Sequence, residues 1–486
     1  TMVELRQKYA PKAEGELRAN MAEVALTRIH TVKRTKQTLE VLTKDAWELV
    51  FVFAEESHAR GLEEFVIARA MPDTCVKVFA FLYKSPGPGF PKMYDAVAEY
   101  GRLGFPNKRF VIEAELNKDY EFCSTYPSIF VLPAIADLDL LNHVAKFRSR
   151  QRIPVCVYEH PDTGAGLYRS SQPLVGMRHR SKQDETYMHF LRNEKQKKMV
   201  VMDSRPKTNA QANRLGGGGF ENKANYKHVK IYFQDIENIH VVRNSLATLR
   251  AAYKGGASRE KMAAAEQQWH KHIGLVLQSA KDTVTQLVEK RASCLVHCSD
   301  GWDRTAQTVS LSELIMDPYY RTVHGFAILI EKEWCSFGHQ FGRRHGHGMN
   351  IRNPKDSQRS PIFTQYLHAV VQLLRQFPTS FEFNENLLIF LLQEVYTCRF
   401  GTFLFDNERQ RVKADVFGDT VPVWAYVFVN AEVFTNPVFS ETKGMLPLDK
   451  LRTDCISLMP WREYHCKVIE GRSSLDEYKF EEQLLG

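Results

Sequence analysis

Apolar positions in the first 75 residues fall in short runs of strand type. Residues 24–29, 39–43 and 47–53 each cluster β-branched, aliphatic or aromatic side chains between polar stretches. A helical stripe follows over about 57–70, where Leu62, Phe65, Val66 and Ala70 recur at three- and four-residue spacing. Three strands and one helix bury little apolar surface alone, so this unit is expected to pack on the rest of the chain. The run Ser85-Pro86-Gly87-Pro88-Gly89-Phe90-Pro91 then breaks all periodicity and reads as a linker.

Beyond the linker, strand-like runs at 199–202 and 229–233 alternate with long amphipathic helices. Residues 270–291 are the clearest helix, with Ile273, Leu277, Ala280, Val284 and Leu287 on one stripe. This alternation predicts an α/β architecture, a mixed sheet flanked by helices. There is no internal repeat and no sustained heptad. The expected organisation is a β-rich unit at 1–75, a linker at 76–91, a main domain at 92–462 and a tail at 463–486, whose last residues are acidic and polar.

Composition narrows the class only a little. With 44% hydrophobic and 25% charged residues the chain has an ordinary globular make-up. Its longest apolar stretches, residues 49–54 and 387–392, are far shorter than the roughly 20 residues of a bilayer helix. The opening Thr1-Met2-Val3-Glu4-Leu5-Arg6 lacks the apolar core of a signal peptide. Nine scattered cysteines without any Cys-x-x-Cys pair point to a reducing, cytosolic setting. The net charge of +8 is compatible with an anionic partner such as a phosphorylated lipid surface. No nucleic-acid partner, metal or cofactor is expected.

Candidate chemistry concentrates in one stretch. Residues 293–297 form a short apolar strand, and a helix with Leu311, Leu314 and Ile315 on its buried face follows from about Arg304. Between them lies a loop bracketed by Cys298 and Arg304, a Cys-x5-Arg spacing. Such a loop can turn its backbone N–H groups inward at the positive end of the helix, forming an anion cradle. A phosphate there would be gripped by those donors and bidentately by Arg304. The same field lowers a thiol pKa from about 8.5, so that a thiolate exists at neutral pH. Most cysteines are simply small buried apolar residues. Cys298 is set apart because its Cys-x5-Arg spacing falls at a strand-to-helix junction, with His297 before the Cys and Thr305 after the Arg.

The stretch Val296-His297-Cys298-Ser299-Asp300-Gly301-Trp302-Asp303-Arg304-Thr305-Ala306-Gln307 resembles the signature of the myotubularin-related phosphoinositide 3-phosphatases. Further blocks carry the resemblance: Phe147-Arg148-Ser149-Arg150, Ser171-Gln172-Pro173-Leu174-Val175-Gly176, residues 203–218 (DSRPKTNAQANRLGGG) and residues 235–243 (DIENIHVVR). Glu333-Trp334, Ser336-Phe337-Gly338-His339, residues 376–385 and Cys398-Arg399-Phe400-Gly401 extend it to about Pro437. The N-terminal unit is similar to the later part of the PH-GRAM domain that precedes the phosphatase in this family.

The resemblance implies removal of the 3-phosphate from phosphatidylinositol 3-phosphate and its 3,5-bisphosphate. It makes Cys298 the nucleophile, Arg304 the phosphate ligand and Asp303 the general acid, with Asp300 as the competing acid. Ser299, Gly301 and Trp302 would line the cradle, and Thr305 would hydrogen-bond the thiolate. Asn213, Asn238 and Ile239 fall at inositol-contacting positions, with a turn-capping side chain as the alternative role for either Asn. The glycines at 216–219 read as a supporting loop, since they lack the Lys of a P-loop. After His339 the family usually places a basic residue thought to meet a 5-phosphate; here it is Gln340, while Arg344 keeps the second basic position. That departure predicts a preference for the monophosphate.

The resemblance also implies a cytoplasmic protein, peripheral on anionic endosomal membranes, with homo- or hetero-oligomers of related phosphatases as partners. Two other readings stand beside it. A phosphoinositide-binding scaffold is disfavoured because both Cys298 and Arg304 are present. A tyrosine phosphatase is disfavoured because two acids and Trp302 inside the loop suit an inositol ring. His339, His345 and His347 lack an accompanying carboxylate or Cys in metal-ligand spacing. The basic segments 146–152, 178–182 and 195–198 read mainly as solvated faces.

Overall fold

Alternating apolar side chains fold residues Ile29–Thr35 (β1), Thr38–Thr43 (β2) and Glu48–Val52 (β3) into an antiparallel sheet in the order β1-β2-β3. In the computed structural model the described residues are 26–45, 48–70, 78–82, 92–192, 199–253, 257–347, 358–440 and 444–465. Ile29, Leu39 and Val41 meet Val66 of the helix Glu56–Ala70 in a small core of their own. The first strand starts later than its apolar run suggested: residues Leu26–Arg28 make one 3-10 turn, and β1 continues through polar Lys33 and Arg34. As an edge strand paired only to β2, β1 keeps one face wet, and so it tolerates charges there. The unit rests on the main domain. Its opening turn packs on the helix Glu385–Thr397, and Arg359 lies 2.6 Å from His30.

The main domain is built on a seven-stranded sheet ordered β4-β5-β6-β7-β10-β8-β9. These strands are Phe110–Glu113, Phe130–Pro133, Val155–Glu159, Gly166–Ser170, Met199–Asp203, Val229–Phe233 and Cys294–His297, numbered β4 to β10 along the chain. β4 to β7 pair antiparallel, whereas β10 runs parallel to both β7 and β8, and β8 parallel to β9. The sheet is therefore mixed, with its parallel half on one side.

β10 sits between β7 and β8 and is buried throughout. Its register sets His297 beside Ser170 and Asp203, so three strands end at one level. The loops leaving those ends form a crevice, which is where open α/β sheets bind ligands. Helix Arg259–Val288 covers one face and also packs against Arg304–Met316, Ile239–Tyr253 and Ile362–Gln376. It begins eleven residues before its clearest stripe, because Ala265 and Trp269 extend the buried face and Ser258 caps its N-terminus. No helix among the described residues is long and apolar enough to cross a membrane. The Pro/Gly run at 85–91 and the acidic tail lie outside the described residues; Phe79–Leu82, ahead of that run, is a short helix against Cys398.

Candidate active site

Cys298 follows the last residue of β10, and helix Arg304–Met316 starts six residues later. The thiol lies at the floor of the intervening loop and is almost fully buried. Its Sγ accepts a hydrogen bond from the Gly301 N–H at 3.3 Å. Burial pushes the thiol pKa up, but the Arg304 guanidinium, the Thr305 hydroxyl and that N–H outweigh it and hold it below the ordinary thiol value. The Thr305 hydroxyl falls outside strict hydrogen-bond geometry to any acceptor, yet it is near enough to favour the thiolate. Among the described residues, the backbone N–H groups of Ser299, Asp300, Trp302, Asp303 and Arg304 find no acceptor within the protein. A ring of such donors at a helix N-terminus around a thiolate is built to receive a tetrahedral oxyanion.

The loop is pinned from behind. Gly301 has φ +78°, and a Cβ there would come 2.3 Å from the Ser170 carbonyl oxygen, so only glycine fits against β7. Its own carbonyl accepts from two buried guanidiniums, Arg152 Nη2 and Arg169 Nη2, each at 3.0 Å. Carbonyl and N–H point in opposite directions across a trans peptide. The two arginines therefore turn the Trp302 N–H away from themselves. Arg169 is neutralised by Glu333. Arg152 has no carboxylate partner among the described residues: its other acceptors are the carbonyls of Thr125 and Phe337 and the Thr125 hydroxyl, with the Tyr126 ring 4.3 Å away. An uncompensated cation thus lies buried directly behind the loop.

Asp303 is held in an ion pair. Arg344 donates from Nε to Oδ1 at 3.1 Å and from Nη2 to Oδ2 at 2.7 Å, and His339 Nδ1 lies 3.1 Å from Oδ1. Burial alone would raise this carboxyl, but Arg344 and His339 hold it well below the usual carboxylate range. Asp300 is half-exposed and accepts from the Ser149 hydroxyl at 2.8 Å. Arg304 donates Nη1 to the Ile236 carbonyl at 3.2 Å. Trp302 is buried, its carbonyl bonded to His339.

The more distant candidates divide. Asn213 reaches the loop, donating Nδ2 to Ser299 Oγ at 3.1 Å. Asn238 uses its side-chain oxygen to cap helix Ile239–Tyr253, accepting from His240 and Val241 N–H, and the Ile239 carbonyl accepts from Ser360. Arg344 does not stand open to a ligand, since it spends three nitrogens on Asp303 and the Gln358 carbonyl. His339, His345 and His347 are each bonded to backbone carbonyls, and no group of three potential ligands for a metal occurs among the described residues.

Sequence reasoning missed the charges beneath the loop. His297 Nε2 lies 3.0 Å from Glu221, which also accepts from Arg148 at 2.8 Å, and Arg148 grips Asp184 with Nε and Nη2. Despite burial, Glu221 and Asp203 raise the His297 pKa, so the imidazolium is favoured. Arg205 likewise closes bidentately on Asp203. The segment 146–152 is therefore not uniformly a solvated face: Arg148 and Arg152 are wholly buried, while Lys146 and Arg150 are exposed. An Arg beside Leu167 and Tyr168 in the short strand β7 was the available signal for such a network.

A buried thiol of lowered pKa and a guanidinium bracketing a ring of backbone donors, at the parallel end of a mixed sheet, define the cysteine-dependent phosphatase type of site. A family model described as Myotubularin-like phosphatase domain matches residues 78–412. The chain is 43% identical over 417 residues to phosphatidylinositol-3,5-bisphosphate 3-phosphatase MTMR2 of Gallus gallus, covering 82% of this chain and 71% of that one. The Bos taurus protein of the same name is also 43% identical, with 63% of its length covered. Myotubularin of Xenopus laevis is 40% identical over 440 residues, covering 88% of this chain and 72% of the relative. The chain belongs to the myotubularin-like phosphatase family. The match begins at residue 78, within the segment whose composition suggested a linker.

Proposed function

We propose that this protein is a phosphoinositide 3-phosphatase that works through a phosphocysteine. The observation that carries the reading is the buried Cys298 thiol, its pKa lowered, beneath a ring of unused backbone donors and beside Arg304. Thiolate attack on phosphorus forms the S–P bond and breaks the bond to the inositol 3-oxygen, which takes up a proton. Water then attacks the phosphocysteine, releasing inorganic phosphate and restoring the thiolate. Donors and Arg304 offset the charge that develops on the transferring group.

The substrate class is supported by relatives named for dephosphorylating phosphatidylinositol 3,5-bisphosphate at the 3-position. Asp303 is the proton donor in this scheme. It is ionised in the free protein, and an incoming dianionic phosphate is the change that would raise its pKa. Gln340 in place of a cation favours the monophosphate over the bisphosphate. Action takes place from the cytoplasm on anionic endosomal membranes, alone or in oligomers with related phosphatases; the net charge of +8 supports the membrane part.

Phosphate release from short-chain phosphatidylinositol 3-phosphate tests the reading. Controls are phosphatidylinositol 4-phosphate, a phosphotyrosine peptide and the Cys298→Ser protein. Selective release that vanishes in the variant is expected. No release from any substrate by folded protein would favour a scaffold instead.

A further inference from the structure

Two of the most exposed large apolar side chains stand on adjoining loops that flank the catalytic loop. Leu215 is 83% exposed and Met177 is 70% exposed. Their loops are joined: Gly176 N–H donates to the Gly217 and Gly218 carbonyls at 3.0 Å, and Arg214 Nε donates to the Gly176 carbonyl at 3.2 Å. The same pair of loops is tied to the catalytic loop. Asn213, two residues before Leu215, donates to Ser299, and Gln172 N–H, five residues before Met177, donates to the Ser299 carbonyl at 3.1 Å.

Charge around this apolar pair has one sign. Residues 174–182 carry Arg178, Arg180 and Lys182 and no carboxylate; residues 206–220 carry Lys207 and Arg214 and none either. Among the described residues, Arg180 alone of these five is paired with a carboxylate, Glu185 at 2.7 Å. Apolar tips standing out of a cationic rim suit an interface with anionic headgroups outside and acyl chains within. A protein partner with an acidic rim would meet the charges as well, but a phosphatase acting on a lipid must seat its catalytic loop against the bilayer.

Resting on the proposed activity, we infer that Leu215 and Met177 insert into an anionic leaflet as a paired apolar tip and bring the Cys298 loop down onto the headgroup. Arg178, Lys182, Lys207 and Arg214 hold the surrounding phosphates and carboxylates of the leaflet. The tip contributes nothing to chemistry on a substrate that is already in solution.

The experiment compares wild-type protein with Leu215→Glu, Met177→Glu and the double variant. Co-sedimentation is measured with vesicles of phosphatidylcholine alone and with phosphatidylserine added. Turnover is measured on vesicle-borne and on short-chain phosphatidylinositol 3-phosphate. Wild-type protein should bind the phosphatidylserine vesicles, and the double variant should bind about tenfold or more weakly, since each charged tip opposes insertion. Its turnover should drop on vesicles and stay within about twofold on the soluble lipid, which also shows that it is folded. Vesicle binding equal to wild type, or wild-type protein that ignores phosphatidylserine vesicles, overturns the inference. So does an equal drop on both substrates. Failure of the activity itself would be seen separately, as no release from the soluble lipid while sedimentation stays readable.

Discussion

Arg344 closes on Asp303 with two parallel hydrogen bonds, 3.1 Å from Nε to Oδ1 and 2.7 Å from Nη2 to Oδ2. The residue proposed to donate the proton is thus held as an anion by the residue expected to meet substrate. A fork of this kind is strong and directional. Binding of a phosphate to the cradle must loosen it, or compete with Asp303 for Arg344, before protonation is favourable.

Asp303→Asn separates acid catalysis from mere anchoring of Arg344. An inositol alkoxide is a poor leaving group and needs a proton, whereas p-nitrophenolate does not. We expect kcat on phosphatidylinositol 3-phosphate to fall about 10²-fold or more while p-nitrophenyl phosphate loses much less. Equal losses on both substrates would reduce Asp303 to an anchor and return Asp300 to consideration.

Arg152 is a buried cation with no carboxylate partner among the described residues. Arg152→Met should raise the Cys298 thiol pKa, moving the pH profile of iodoacetamide alkylation upward by about half to one unit. It should also weaken vanadate inhibition about tenfold, because the Trp302 N–H loses its restraint. Arg152→Lys keeps the charge but cannot bridge the same carbonyls, so it should restore the thiol pKa more than the vanadate affinity. An unchanged alkylation profile in a folded Arg152→Met protein would show that the charge does not reach the thiol.

Glu221→Gln removes the shared partner of His297 and Arg148. Breaking a buried pair costs about 3–5 kcal/mol, read as a lowered denaturation midpoint. The Glu221 pKa is depressed in the fold, so its contribution is present above the unfolded value of about 4.3 and is lost as pH falls through the folded one. The His297 pKa is raised, so its contribution is full below about 6.5 and is lost as pH rises through the folded value. The stability gap should therefore be widest between about pH 4.5 and 6.5, shrink below that range as Glu221 takes up a proton, and narrow above it to the part carried by Arg148. A gap independent of pH would mean that packing, not charge, carries the effect.

Gln340 is buried next to His339, at the start of the short helix that carries Arg344. Gln340→Arg should raise kcat/KM on the 3,5-bisphosphate relative to the monophosphate by several-fold to about tenfold, the size of one charge-assisted contact. Comparable wild-type efficiency on both soluble lipids would remove the premise.

The sequence alone determined a good deal, because the signals involved are local. β8, β9 and the helix about Ile273 to Leu287 follow from periodicity, and the strand, loop and helix around Cys298 follow from an apolar run, a Cys-x5-Arg spacing and a second stripe. β4 to β7 were not read from the sequence: β4 and β5 have only four residues each, and β5 meets β6 across the helix Leu138–Phe147, so tertiary pairing and not local pattern makes them strands.

Tertiary structure decided where charge lies. A basic residue reads the same in sequence whether it faces water or a carboxylate, and desolvation is permitted only where partners from distant segments converge. Arg148, Arg152 and Arg169 became internal supports of the loop because residues far away in the chain, among them Asp184, Glu221 and Glu333, came to meet the first and last. Arg152 was accepted on carbonyls and a ring instead. Likewise Asn213 reaches the loop and Asn238 caps a helix, a difference set by where each segment ends in space and not by the residue itself.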